Sequence, residues 1–439
     1  MSAKNSIEEI YKHFINANQQ VCTDTRKLIN GSIFFALKGD NFNANEFAQK
    51  AIEAGCAYAI IDEEKYATND KLILVNDVLK TLQQLANHHR QQFKIPFLAI
   101  TGSNGKTTNK ELINAVLSKK FNTLATAGNL NNHIGVPLTL LSVTNQHQFA
   151  IIEMGANHVE EINELCQIAN PDYGLITNIG KAHLEGFGGI EGVIKGKTEL
   201  YKFLKVKDGE VFIHGDDQLL HDLAIDNDKV TYGCKKLYDV IGKDCTNSQT
   251  VSFKFTNRYG EKDWNKQPLI NTQIVGGYNF INCLAAVCVG HYFKVEDEQI
   301  KEALENYVPQ NNRSQLVKTD NNTLILDAYN ANPNSMKVAI ENFATYTAER
   351  KIAILGDMFE LGDYSAEEHK KIIELITEKK LDNTIFVGED FFKLNPPNYT
   401  TFKTTEECKD FFKSLNLKNT TILIKGSRGM KLETLQEVL

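Results

Sequence analysis

No stretch of the 439-residue sequence approaches the roughly 18 consecutive apolar residues that a membrane-crossing helix needs. From Met1 to Phe14, polar and charged side chains stand where an export signal would carry its apolar block. The expectation is a cytoplasmic protein, neither exported nor membrane-spanning. Eight cysteines are present, but they are scattered, with no C-x-x-C pair. That excludes a disulfide framework or cysteine zinc site and predicts reduced thiols that fill cores. Basic charge is in deficit, with 48 Lys and Arg against 55 Asp and Glu for a net charge of -7, and no long basic run offsets it. Such a surface has no general attraction for phosphate backbones, so nucleic acid is not an expected partner. A guanine-reading N-K-x-D segment is also missing, because Asn109-Lys110 and Asn265-Lys266 lack the following Asp. This disfavours a nucleotide-gated switch. Internal repeats and low-complexity segments are absent.

The chain is too long for one ordinary core and is expected to form three domains. Its 42% hydrophobic and 23% charged residues suit sizeable cores under a polar surface. Residues 1–94 hold short alternating segments, Ser32 to Leu37 and Ala57 to Ile61, then a polar helical stretch ending near Phe93, and read as a small α/β domain. From Ile95 to residue 310, apolar runs end in loops and are followed by helical periodicity. These runs are Phe97 to Thr101, Phe149 to Met154 and Tyr173 to Thr177. Strands alternating with helices predict a parallel sheet whose carboxyl ends gather ligands. A second such series, over 311–439 and starting near Asn311, predicts a C-terminal, Rossmann-like α/β domain with strands at Thr323 to Leu326, Lys351 to Leu355, Thr384 to Val387 and Thr421 to Lys425. The polar stretch from about 235 to 272 carries no clear pattern.

The segment Thr101-Gly102-Ser103-Asn104-Gly105-Lys106-Thr107-Thr108 follows a strand and precedes a helical stretch from Asn109 to Lys119. Glycines allow backbone N–H groups to curl round phosphate oxygens, the helix N-terminus adds partial positive charge, Lys106 can reach the outer phosphates, and Thr107 is placed to ligate magnesium. The usual pattern G-x-x-x-x-G-K-[ST] would need glycine at position 100, where Ile100 stands, so the loop is a tighter form.

Three more residues reach the same edge of the sheet. Glu153 ends an apolar run and offers magnesium a hard oxygen ligand, although a strand-end glutamate also serves as a helix cap or surface group. His183 lies in the loop after the next strand, where a lone histidine is ordinarily solvated. Lys197 falls on the inward stripe Ile190, Val193, Ile194, Leu200, Tyr201 and Leu204 of a helix from Ile190 to Leu204. Its stem either snorkels along that face to water or holds a desolvated amine of lowered pKa, open to carbon dioxide and carbamate formation.

With these motifs in view, the sequence resembles the Mur ligase family, over nearly the whole chain from Thr23-Asp24-Thr25-Arg26 to Lys425-Gly426-Ser427-Arg428. TGSNGKTT is similar to the family's short ATP-binding loop. TAGNLNNHIGVPLTLL (Thr126 to Leu141), IIEMGANH (Ile151 to His158), LDAYNANPNSM (Leu326 to Met336) and LGDMFELG (Leu355 to Gly362) resemble its D-alanyl-D-alanine-adding branch. The resemblance implies that Gly102 to Thr108 bind ATP, with Lys106 on the phosphates. Thr107 and Glu153 would hold one magnesium ion, and His183 with a carbamylated Lys197 a second. It implies adenine contacts from Asn279 and Asn282, phosphate contact from Arg313 and ribose contact from Asp327. Thr25 and Arg26 would line a uridine-diphosphate pocket, Asn129, Asn131 and Asn132 would meet the sugar-peptide, and Tyr329, Asn330 and Asn332 the incoming dipeptide. Ser427 and Arg428 are candidates for a carboxylate.

The activity implied is ATP-dependent peptide-bond formation between a UDP-linked muramyl tripeptide and D-alanyl-D-alanine, through an acyl phosphate, by a monomer with small-molecule partners. A sibling ligase that adds one amino acid, or a folylpolyglutamate synthetase, is the alternative. The segments at 126–137 and 329–336 favour the dipeptide-adding branch.

Overall fold

The computed structural model describes residues 5–246, 249–310, 312–415 and 417–439, so the C-terminal start expected at Asn311 lies outside the described residues. Three main sheets follow one another along the chain. The first has four parallel strands, Val21–Cys22, Ile33–Phe35, Tyr58–Ile61 and Leu72–Leu74. Ile33, Phe34 and Phe35 are all buried, as expected where both faces of a parallel strand are covered. The helix Val78–Arg90 starts on Asp77, which accepts from the Lys80 amide, and it buries Leu82, Leu85 and Ala86. Its last turn is tied to the next part of the chain: His89 Nε2 lies 2.8 Å from the Val143 carbonyl, and Arg90 donates to Asp172 at 2.9 Å.

The second sheet has nine strands, which begin in spatial order at Ile270, Thr250, Val240, Asp228, Glu210, Tyr173, Phe97, Phe149 and Thr123. The strand Phe97–Thr101 is paired in parallel with Tyr173–Ile176 on one side and Phe149–Glu153 on the other. Three carboxyl ends therefore open onto one place.

The central strands form the expected parallel sheet, and its far edge adds strands that the sequence pattern did not predict. Val240–Asp244, Thr250–Asn257 and Ile270–Val275 form an antiparallel extension, and they occupy most of the stretch that carried no clear pattern. Ile270–Val275 shows why: Asn271 and Gln273 face solvent, alternating with the buried Ile270, Thr272 and Ile274, so a half-exposed strand looks merely polar.

The third sheet is parallel except for its edge strand Gln315–Lys318, which runs antiparallel to Thr323–Leu326. Two helix expectations also shift. The phosphate-loop helix runs Lys106–Leu117 and starts earlier than expected, because its cap is Gly105 at φ 78° with no side-chain cap to mark it. The helix Ile190–Val206 buries Val193, Lys197, Leu200, Tyr201 and Leu204, but Ile190 is 41% exposed. Gly188 and Gly189, at φ 69° and 114°, turn the chain into the helix, and Ile190 is its first residue, outside the stripe. Among the described cysteines all are free and six are buried. No helix among the described residues is long and apolar enough to cross a membrane.

Candidate active site

At the carboxyl ends of the central strands, the loop Gly102–Gly105 is braced by the segment that follows Tyr173–Ile176. Gly102 sits at φ 141°, and a Cβ there would meet Thr177 Oγ1 at 2.0 Å, so only glycine fits. The Ser103 amide donates to the Asn178 carbonyl at 3.0 Å, and the Asn104 amide to Asn178 Oδ1 at 3.1 Å. With those two amides occupied, the N–H groups of the helix's first turn remain the ones aimed at an anion. Lys106 Nζ folds back on the Gly102 carbonyl at 2.8 Å, and burial lowers its pKa.

Behind the loop stands Glu153, almost fully buried at the end of Phe149–Glu153. Its Oε1 accepts from Thr107 Oγ1 at 3.2 Å and from Asn131 Nδ2 at 2.8 Å, whereas its buried Oε2 has no hydrogen-bond partner. Two oxygens from the chain suit a magnesium ion that takes one or two protein ligands and completes its shell with phosphate and water.

Lys197 is 1% exposed. Its Nζ donates to the Ala156 carbonyl at 3.1 Å and lies 5.1 Å from the Phe187 ring centroid. Desolvation, with Lys106's charge acting the same way, holds its pKa well below the ordinary value, so its stem does not snorkel to water. His183 does not meet Lys197 directly. Its Nδ1 pairs with Glu360 of the C-terminal part, which lowers the Glu360 pKa. No cluster of three or more His, Cys, Asp or Glu side chains able to hold a metal occurs among the described residues.

A cavity of about 800 Å³ lies between the central and C-terminal sheets. Ser103 to Thr108, Glu153, His183, Asn129, Asn131 and Asn132 line it from the central side, with Asn279 and Asn282. Arg313, Asp327, Tyr329, Asn330, Asn332 and Arg428 line it from the other. Asn282 Oδ1 accepts from Asn109 Nδ2 at 2.8 Å and its Nδ2 donates to Asn279 Oδ1 at 2.8 Å, a chain that joins the helix Asn279–Tyr292 to the phosphate-loop helix. Asp327 accepts from the Ser314 amide at 3.1 Å and from Lys425 Nζ at 2.6 Å. The Arg313 guanidinium lies 3.6 Å from the Tyr329 ring centroid, and Arg428 donates to the Tyr329 hydroxyl at 3.1 Å.

Gly102, Lys197 and Ser427 lie behind the cavity wall rather than on it; Ser427 Oγ accepts from the Phe359 amide at 2.9 Å. Thr25 and Arg26 are not brought to the cavity at all. Arg26 is exposed and bound to Asp24 by paired 2.9 Å contacts, which hold the Asp24 carboxyl down at about 2. Sequence reasoning missed Asn178, Glu360, Lys425 and Lys110. Lys425 ends an apolar strand and could have been noticed as Glu153 was. The other three show no periodic signal.

The Mur ligase middle-domain model matches residues 100–290, and the Mur ligase glutamate-ligase domain model matches residues 312–428. The UDP-N-acetylmuramoyl-tripeptide–D-alanyl-D-alanine ligase of Bacillus subtilis is 37% identical over 94% of this chain and 91% of its own length. The crystal structure of MurF from Acinetobacter baumannii, 30% identical, covers 95% of this chain and 92% of its own with a TM-score of 0.85. MurF ligase from Thermotoga maritima, solved in complex with ADP, shares the fold at 24% identity and a TM-score of 0.84, over 96% of this chain and 97% of its own. The chain belongs to the Mur ligase family, within its UDP-N-acetylmuramoyl-tripeptide–D-alanyl-D-alanine ligase branch.

Proposed function

We propose that this chain is an ATP-dependent ligase that joins UDP-N-acetylmuramoyl-tripeptide to D-alanyl-D-alanine in peptidoglycan precursor synthesis, as a cytoplasmic monomer. The observation that carries it is the convergence of the phosphate loop, Glu153, Arg313 and Asp327 on one cavity. The activities named for the relatives select the substrates. Residues 1–94, with Thr25 and Arg26, hold the UDP end, residues 95–310 bind ATP, and residues 311–439 supply the nucleotide and dipeptide contacts.

In this scheme the tripeptide carboxylate attacks the γ-phosphorus and ADP departs, leaving an acyl phosphate. The dipeptide amine then attacks the acyl carbon, loses a proton and expels phosphate. Lys106 and the first-turn amides stabilise charge on the transferring phosphoryl group. Thr107 and Glu153 would hold one magnesium ion, whose charge offsets repulsion between anionic nucleophile and triphosphate. Burial favours the neutral form of the Lys197 amine, and its carbamylation would give an oxygen ligand for a second ion. With His183 Nδ1 on Glu360, the ring nitrogen on offer there is Nε2. Asn279, Asn282, Arg313 and Asp327 grip the nucleotide. Asn129, Asn131 and Asn132 face the sugar-peptide, and Tyr329, Asn330 and Asn332 the dipeptide.

The test is phosphate release across a panel of UDP-linked acceptors and amine donors. Release should require ATP, magnesium, the tripeptide and D-alanyl-D-alanine together. Robust turnover with a single amino acid and none with the dipeptide would sink the assignment.

A further inference from the structure

The phosphate-loop helix carries a second lysine, one turn below the first. Lys110 follows Thr107 by three residues, so the two share a helix face. It is 3% exposed. Its Nζ donates to the Thr126 carbonyl at 2.7 Å and stands 3.9 Å from Glu153 Oε2, the buried oxygen with no hydrogen-bond partner. Thr126 closes the circuit, because its Oγ1 accepts from the Glu153 amide at 2.9 Å. A further carboxylate oxygen, Glu111 Oε1, is 4.0 Å from the same ammonium.

A cation buried this deeply is costly unless a charge or good acceptors compensate it. One short bond to a carbonyl supplies an acceptor but no charge. Glu153 is the most buried carboxylate near the ammonium, and it too has an uncompensated oxygen. Each group therefore answers the other's deficit, at a separation too long for a direct hydrogen bond and short enough for strong attraction in a poorly solvated setting.

We propose that Lys110 is a positioning residue, a built-in counter-cation that holds the Glu153 side chain in place in the ligand-free protein and is electrostatically replaced when a divalent cation arrives at Thr107 and Glu153. This rests on Glu153 being the metal-side carboxylate of the proposed ligase. Its consequence is a trade: the lysine stabilises the empty site and, by repulsion, moderates the site's hold on the metal.

A thermal-melting cycle on the full-length chain tests both halves. Without ligands, Lys110→Met keeps the side chain's bulk but leaves Glu153 unpaired, and should lower the melting temperature by several degrees. The double variant Lys110→Met/Glu153→Gln should melt above Lys110→Met alone, because no orphaned charge remains. Losses that simply add would overturn the proposal and leave Lys110 as a prop for the Thr126 carbonyl. If Lys110→Met does not fold, recovery of folding in the double variant supports the pairing in the same way, and failure of both counts against it. Magnesium with ADP should then raise the melting temperature of Lys110→Met by more than that of the wild type. An equal or smaller rise would overturn the replacement step. These melting readouts stand apart from the phosphate-release panel, so a wrong amine donor would sink the ligase assignment without touching the ligand-free cycle.

Discussion

Asn332 donates its side-chain amide to Asn104 Oδ1 at 2.7 Å, so the C-terminal part of the chain touches the phosphate loop itself. Two side-chain pairs run alongside, His183 with Glu360 and Lys181 with Glu368 at 2.7 Å. Together they describe a closed arrangement, in which Arg313 and Asp327 face the loop across the cavity.

Weakening that closure should cost substrate affinity more than chemistry, because a partly populated competent state lowers apparent affinity by its own fraction. Asn332 also caps the helix Pro333–Thr345, so alanine would confound the test. Asn332→Ser keeps a capping oxygen while losing reach to Asn104. Steady-state kinetics should show the KM for ATP raised several-fold with kcat changed less. An unchanged KM would mean the contact does not hold the domains.

Lys106→Ala should lower kcat by about a thousandfold, the scale on which removal of a preorganised group at developing charge is felt. The variant loses the Lys106 bond to the Gly102 carbonyl, but the Asn178 bonds to Ser103 and Asn104 still brace the loop. Turnover near the wild-type rate in a folded variant would mean that the loop has been misread.

The phosphate loop was legible because strand, glycines and helix stand in an order with a single physical use. Lys197 was legible because a charge on an apolar stripe breaks periodicity, and the structure buries it. Lys110 was not, because Lys followed by Glu on a helix reads as a solvated face. Nothing local reveals that the Thr126 carbonyl and Glu153, supplied by distant strands, close over it. Glu360 was hidden for the same reason, since its partner His183 lies 177 positions away in the chain. The antiparallel edge was obscured in part because its outermost strand, Ile270–Val275, exposes Asn271 and Gln273. Asn279 and Asn282 stood out through family resemblance alone, and the structure shows them bonded to each other, with Asn282 also bonded to Asn109.

Acid should loosen the junction between the first two sheets. His89 is buried among Tyr11, Phe14 and Phe93, and desolvation pulls its pKa below 6.5. The folded chain therefore keeps it neutral where the unfolded chain already binds a proton. Its contribution is fully present above pH 6.5 and is lost as pH falls from there through the lower folded value. His214, also desolvated, acts in the same direction. Urea unfolding between pH 5 and about 8 should show stability dropping on the acid side, with a shallower drop in His89→Gln. An identical slope in the variant would remove His89 from the account.

Lys197 offers the sharpest test of the second metal site, because ordinary packing does not explain an amine sealed against a single carbonyl. Burial lowers the pKa of that amine and so favours its neutral form, the one that reacts with carbon dioxide: nitrogen bonds to carbon, one proton leaves, and a carboxylate-like group results. Carbon-13 NMR of protein equilibrated with labelled bicarbonate should show one carbamate resonance, absent from Lys197→Ala. The variant should fold normally, since it loses little apolar surface, but lose most activity along with a metal ligand. Acetate, which supplies a carboxylate of similar size, should restore part of the turnover if it enters the vacated space. A resonance that survives in Lys197→Ala would place the carbamate elsewhere. Near-normal activity of that variant at low bicarbonate would return Lys197 to the role of a buried structural lysine held by Ala156 and Phe187.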